Sequence, residues 1–91
     1  MRYAVKMPQM GPNINGPDIL RFAQTAERQG FDILAVGDHV VFPDNYTSVY
    51  PYGASGRLPV GRSGAFPDPL IWIACAAAVT TRLKFLTGVI I

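Results

Sequence analysis

Three short β-prone runs alternate with two helical patterns along this chain, and this order restricts it to few architectures. The runs cover residues 3–7, 31–36 and 84–91, whereas apolar residues recur at three- and four-residue steps over 19–26 and fill 70–79. Strands that are joined by crossover helices form a parallel sheet. The sequence therefore predicts an α/β fold with three parallel strands and two helices.

Both helices carry signals for where they begin and end. Pro17 and Pro69 each suit the first turn of a helix, where a missing N–H leaves no partner unsatisfied. Asp68 is a favourable N-cap, and Gly30 stands where a left-handed C-terminal cap is expected. We therefore expect the first helix to stop at Gly30.

The second helix has no polar face, because residues 70–79 are apolar nearly all round. A helix of this kind is typical of a protein core. We therefore expect it to be buried, with Trp72 and Cys75 packed in the core rather than available for chemistry.

A long segment rich in glycine and proline, residues 42–67, separates the second run from the second helix. Loops of this length are uncommon in compact domains and often serve as lids or binding segments. Arg57 and Arg62 lie among its glycines, yet no Walker or dinucleotide-binding spacing is present. We expect a mobile loop with solvated arginines rather than a phosphate site.

The composition excludes several functional classes. Of the 91 residues, 49% are hydrophobic and 15% are charged, which indicates a folded protein. The net charge of +2 is scattered, so no nucleic-acid surface is expected. No apolar run reaches the roughly 20 residues that a bilayer requires, and no secretory signal opens the chain. With a single cysteine, we expect a cytoplasmic protein without a disulfide, a metal site or a membrane segment.

The predicted sheet is small for its architecture. Three parallel strands leave two unpaired edges, and the sequence stops at Ile91 inside an apolar run. A complete (β/α)8 barrel takes about 250 residues. We therefore expect residues 1–91 to be the first β-α-β-α-β portion of a partial TIM barrel, an N-terminal fragment. The alternative is a small domain that is completed as a homo-oligomer.

Two polar residues follow the second run directly. Asp38 and His39 are expected at the carboxyl end of a parallel strand, where barrels and open sheets both place their active sites. Histidine side chains take up and release protons near neutral pH, so catalysis is one interpretation. In the other, His39 packs in a loop and Asp38 caps a turn.

Gly88 interrupts the third run. A glycine within a strand usually marks a bulge or a place where a ligand approaches the backbone. The alternative is a packing gap that accommodates a neighbouring side chain, and both interpretations stay open at this point.

A doubly wound nucleotide-binding domain is the main structural alternative, because Asp38 would then resemble a carboxylate that binds a ribose. The first turn of such a domain contains glycines that let a pyrophosphate approach a helix N-terminus. Residues 8–12 lack that spacing, so the sequence disfavours this alternative.

Several segments together resemble the luciferase-like monooxygenase family, and in particular its branch that depends on the deazaflavin F420. They are MPQMGP after the first run, AERQGFDILAVGDHVVFP around the second, YPY in the long segment, DPL before the second helix, and TTRLKFLTGV at the third run. The resemblance spans nearly the whole chain. It implies a (β/α)8 barrel with a flavin or deazaflavin at the carboxyl ends of the strands.

The resemblance also implies roles for individual residues. His39 resembles an active-site histidine near the cofactor ring, with Asp38 beside it, and would transfer a proton or orient the cofactor. Gly88–Val89 resembles a bulge whose non-prolyl cis peptide bond supports the ring. Gln9 and Met10 resemble strand-one residues that face the pocket.

On this resemblance the protein is expected to be an oxidoreductase or monooxygenase of a small organic substrate. Its cofactor would be F420, which the segment GDHV favours, or alternatively FMN. The family's contacts to the cofactor phosphate come largely from later strands, so this chain alone is expected to be inactive or nearly so. The alternative function is a non-catalytic remnant or binding module that pairs its exposed strands with a partner.

Overall fold

The computed structural model describes residues 1–10, 14–58 and 65–91, in which three strands alternate with two helices. The elements are β1 Ala4–Lys6, α1 Gly16–Arg28, β2 Ile33–Val36, α2 Pro69–Ala78 and β3 Lys84–Thr87. The predicted β-α-β-α-β order is therefore confirmed. In the part of the chain that the structure describes, neither helix is long enough to cross a membrane.

The three strands form one parallel sheet in the order β1-β2-β3. Val5 pairs with Leu34, and Leu34 pairs with Phe85, so the strands lie side by side in register. All three carboxyl ends consequently lie at the same edge of the sheet. The predicted parallel sheet is confirmed, whereas the closed barrel stays a prediction.

Helix α1 ends where its sequence signal indicates. Gly30 has a φ of +87°, which places it in the left-handed region. Its N–H donates to Glu27 O, and the next N–H along the chain donates to Ala26 O. This is a Schellman motif, in which one left-handed residue lets the chain leave the helix and enter β2.

Both helices pack on the same face of the sheet. The buried cluster combines side chains of β2, of both helices and of the residue that follows β1, namely Met7, Ile19, Ala23, Leu34, Val36, Trp72 and Ala76. Ala35 alternates with Leu34 and Val36 and therefore points to the opposite face. Lys6 and Leu86, which pair with Ala35 on either side, belong to that second face. Within the described residues, neither helix packs on this second face.

Helix α2 is partly exposed, and the expectation that it is buried all round is wrong. Trp72 is 2% exposed, as expected, but Ile71 is 64% exposed. Cys75, which was expected in the core, is also exposed. One stripe of the helix faces α1 and the sheet, and because the whole helix is apolar, its sequence contains no signal that selects the stripe.

Strand β3 is shorter than the apolar run that predicts it. Its pairing with β2 ends at Thr87, although the Gly88 N–H still donates to Val36 O at 2.7 Å. The Gly88–Val89 peptide bond is cis, as the resemblance implies. The last residues of the run leave the sheet because β2 itself ends at Val36 and offers them no further partner.

The connection between α2 and β3 is fastened to the end of α1. The Glu27 carboxylate accepts the backbone N–H groups of Thr81 at 2.9 Å and Leu83 at 3.0 Å, and that of Arg82 between them. The Arg82 N–H is the main reason why the pKa of Glu27 lies below its ordinary value. One carboxylate thus satisfies three N–H groups of a connection that has no regular structure.

The long segment between β2 and α2 contains turns and bends in its described part. Arg57 is exposed, in agreement with the expectation of solvated arginines, but it also contacts the loop. Its guanidinium lies 4.7 Å from the centre of the Tyr46 ring and donates to Tyr46 O at 3.0 Å, so the loop itself holds it. Arg62 lies outside the described residues.

Candidate functional site

A cavity of about 440 Å³ lies at the carboxyl edge of the sheet. It is lined by all six residues that the sequence singles out as site residues: Gln9, Met10, Asp38, His39, Gly88 and Val89. The other described lining residues are Lys6, Met7, Pro8, Gly37 and Phe66. The parallel sheet therefore brings together the segments that follow all three strands.

The His39 ring packs against two phenylalanines. Its centroid lies 4.7 Å from that of Phe42 and 5.3 Å from that of Phe66, and the two phenylalanine rings are 5.0 Å apart. Tilted and T-shaped pairs at these distances are favourable. The two neighbours thus orient the imidazole at the cavity, while part of it stays exposed.

Asp38 and His39 line the same cavity although successive strand residues point to opposite faces. Pairing in β2 ends at Val36, so the backbone is free to bend before the pair. The Asp38 carboxylate accepts the Ile91 N–H at 3.1 Å. Asp38 therefore connects the segment after β2 to the segment after β3.

Gln9 lines the cavity, although only 5% of the residue is exposed. Its Nε2 donates to Gly37 O at 2.8 Å, and its Oε1 accepts the Gly37 N–H. Met10, the next residue, is half-buried at the same place. Both residues lie at the pocket, and the amide of Gln9 already has protein partners there.

Gly88 and Val89 form the wall of the cavity that follows β3. Among the described residues, a Cβ added to Gly88 would meet only Val36 O, at 4.0 Å. No described side chain fills the space beside Gly88, so the packing-gap interpretation has no support there. The wall consists of backbone and of the Val89 side chain, which is 65% exposed.

Lys6, Phe42 and Phe66 lie at the site but are absent from the residues that the sequence singles out. Lys6 had a signal, because it alternates with two apolar strand residues and therefore belongs to the open face of the sheet. The two phenylalanines had none. They lie near opposite ends of a long loop, and no local pattern indicates that their rings meet around an imidazole.

The cavity is mostly apolar, with a few polar groups at defined places. Methionine, valine and phenylalanine residues line it together with three ionisable residues, Lys6, Asp38 and His39. Such a mixture is typical of small-molecule sites. Among the described residues, no three His, Cys, Asp or Glu side chains gather in a way that could hold a metal ion. The arrangement suits a small organic molecule.

Similarity to known proteins extends over most of the chain. The family model described as luciferase-like monooxygenase matches residues 3–91. Curated relatives include an uncharacterized protein of Mycobacterium bovis and uncharacterized proteins of two strains of Mycobacterium tuberculosis, each 32% identical over 63 residues. The match covers 69% of this chain but only 22% of each relative. No solved structure matches the chain significantly. The chain belongs to the luciferase-like monooxygenase family.

Proposed function

We propose that this chain holds the ring system of a flavin-type cofactor in an oxidoreductase or monooxygenase of a small organic substrate. The deazaflavin F420 is the preferred cofactor and FMN the alternative. The observation that carries the proposal is the cavity, in which all the residues implied by the family resemblance meet. Luciferase-like proteins commonly bind flavin-type cofactors, which supports the same assignment.

The cavity suits part of a planar ring system in size and lining. Its volume of about 440 Å³ falls among small-molecule sites, which measure about 300–1,000 Å³. The Gly88–Val89 backbone and the Met10 side chain would hold the ring by apolar contact. His39 and Asp38 would supply the polar groups that fix its orientation.

The protein's own part in the reaction is orientation, proton transfer and exclusion of water. When bound, the cofactor supplies hydride transfer or oxygen chemistry. An imidazole nitrogen of His39 would take up or release the proton, since histidine does so near neutral pH. The rings of Phe42 and Phe66 hold that imidazole and shield it from water where they touch it.

The sheet itself is proposed to be part of a (β/α)8 barrel. In the described residues β1 and β3 are the two edges of the sheet, and the face that carries Ala35 is not packed by a helix. In a barrel, further strands would pair with both edges, and this face would turn to the interior. The cavity would then lie at the carboxyl face, where barrel enzymes bind their substrates.

The two alternative functions are not favoured. A dinucleotide-binding domain would need glycines in its first turn for the pyrophosphate, and residues 8–12 lack that spacing. A non-catalytic binding module that pairs its exposed strands with a partner gives no reason for the convergence of His39, Asp38 and Gly88 on one cavity.

Titration of the purified chain with F420 and with FMN, followed by cofactor fluorescence, tests the proposal. We expect saturable binding that is tighter for F420, with little turnover from this chain alone. Val89→Glu places a charge in the cavity wall and should weaken binding about tenfold. Ile71→Glu is the matched control, because Ile71 on α2 is as exposed as Val89. The proposal is wrong if neither cofactor binds, or if both variants bind like the wild type.

A further inference from the structure

Gln9 is the buried polar residue at the cavity, and both polar atoms of its amide bond to one neighbour. Among the described residues, it is the polar one with the lowest exposure, 5%. Both of its polar atoms bond to the backbone of Gly37, as donor at 2.8 Å and as acceptor. A buried primary amide that pairs with both backbone groups of one residue acts as a peptide group would.

These two bonds continue the pairing of β1 with β2 beyond the backbone ladder. The Met7 N–H donates to Ala35 O at 2.9 Å, as the ladder requires. One step further along, the Gly37 N–H and C=O bond to a side chain instead of to backbone groups of the neighbouring segment. The Gln9 side chain therefore holds Gly37, the first residue after β2.

Gly37 is the residue immediately before Asp38 and His39, so its path sets theirs. A Cβ added to Gly37 would lie 3.4 Å from Gln9 Oε1 and 3.9 Å from Gly88 O. The Gly37 backbone is thus enclosed between the segments that follow β1 and β3. A change at Gln9 should consequently reach His39 without any direct contact between the two side chains.

We propose that Gln9 is a positioning residue, which acts through Gly37 to hold the His39 imidazole in its working direction. This inference rests on the proposed function, in which His39 serves the reaction. It replaces a direct contact of Gln9 with the cofactor, because both polar atoms of the amide bond to Gly37 and the residue is only 5% exposed.

Gln9→Glu tests this inference with almost no change in shape. A protonated carboxyl can donate to Gly37 O and accept the Gly37 N–H, whereas an ionised one can only accept. Burial and the facing carbonyl both disfavour the ionised form. The variant should therefore be disturbed at about pH 8 and recover towards about pH 5. Gln9→Asn, which is too short to make both bonds, should be disturbed at both pH values.

The other titratable groups at the cavity must be accounted for. Lys6 on β1 and Asp38 and His39 after β2 line it, whereas Phe66 and the Gly88–Val89 segment contribute no titratable side chain. Each variant is therefore compared with the wild type at the same pH. Gln24→Glu is the matched control, because Gln24 lies on α1 outside the cavity lining.

Two readouts are needed, and the first does not depend on activity. The sequence contains a single histidine, so the ring C–H resonances of His39 can be followed directly by NMR. We expect Gln9→Glu at about pH 8 to shift these resonances and to lower the small kcat that this chain retains about tenfold, with the cofactor KM changed less than about twofold. Both effects should shrink in acid, and Gln24→Glu should show neither.

Three results would overturn the inference. His39 resonances and kcat like those of the wild type at about pH 8 would show that Gln9 does not position His39. A cofactor KM that rises while the His39 resonances stay unchanged would assign Gln9 to the cofactor. Equal disturbance of folded Gln9→Glu at both pH values would refute the hydrogen-bond mechanism. If the wild type binds no cofactor, the proposed function fails, while the NMR comparison still decides the role of Gln9.

Discussion

His39 owes its position to groups that are distant from it in the sequence as well as to near ones. The rings of Phe42 and Phe66 pack on it, and the chain before it is fastened through Gly37 to Gln9. Contact with the two aromatic rings restricts the rotation of the imidazole. The hydrogen bonds between Gln9 and Gly37 restrict the position of the backbone that carries it. At the scale of single residues, the site is therefore built by its supports as much as by the residues that face a ligand.

Replacing His39 with Ala should slow turnover of the holoenzyme about 100-fold or more, because a positioned acid or base contributes about that much. The cofactor Kd should change less than about threefold, since the other walls of the cavity remain. Steady-state kinetics and a cofactor titration measure the two quantities. His39→Gln, which keeps a polar side chain but exchanges no proton, should be as slow as the alanine variant. Normal turnover in either variant would exclude His39 from the chemistry.

Residues that face the cavity were easier to predict than their supports. Asp38, His39 and Gly88 stand directly after or within apolar runs, so their place at strand ends follows from local sequence. The packing of Phe66 on the imidazole depends on how a long loop folds back. The partner of the Gln9 amide likewise depends on the distance between two strand ends, which residue types do not encode locally.

In the helices too, features set by local sequence were predictable, whereas features set by tertiary contacts were not. The cap at Asp68 and the left-handed stop at Gly30 were predictable, because these positions require particular residue types. The exposed side of α2 was not, since an apolar helix has no polar face to reveal its orientation. The contacts of Glu27 with the connection before β3 are also tertiary, and no spacing in the sequence indicates them.

Gly30→Ala should destabilise the chain by about 1–2 kcal/mol, the cost of a left-handed conformation for a residue with a Cβ. That cost is purely conformational, because a Cβ at Gly30 would meet no described atom within 4 Å. Gly30→Asn, which introduces the side chain that best tolerates a positive φ, should lose less stability than Gly30→Ala. Urea denaturation compares the two variants, and equal losses would contradict the assigned role of Gly30.

The Glu27 contacts should make stability depend on acidity. The folded pKa of Glu27 lies below its ordinary value of 4.5, so the contribution is complete above that value and is lost as pH falls through the lowered pKa. Glu27→Gln should therefore be less stable than the wild type at neutral pH, and the difference should shrink in acid. Denaturant midpoints over a pH series measure this difference. A difference that stays constant with pH would show that ionisation of Glu27 is irrelevant.

The whole molecule has one covered and one open sheet face. Both helices pack over Leu34 and Val36, whereas Leu86 on the other side is 53% exposed. Alternating strands and helices make a parallel sheet predictable from sequence. Closure into a barrel cannot be predicted from three strands, because it depends on the number and tilt of all the strands. In the proposed barrel, further strands would pair with the two edges, and the open face would turn to the interior.

Leu34→Ala should destabilise the chain by about 2–5 kcal/mol, because it removes a fully buried side chain between the sheet and both helices. Leu86→Ala changes the same residue type on the open face and should cost less than about 1 kcal/mol. Thermal or urea unfolding measures both values. Similar losses for the two leucines would mean that the open face is covered in solution.

Backbone-amide NMR during titration with F420 or FMN tests most directly whether the three strand ends form one cofactor site. We predict that resonances of Met10, His39 and Val89 change together and saturate at one affinity. The resonance of Leu83, which precedes β3 at the opposite edge of the sheet, should stay fixed. Changes that centre on Leu83, or no changes at all at saturating cofactor, would contradict the proposed site.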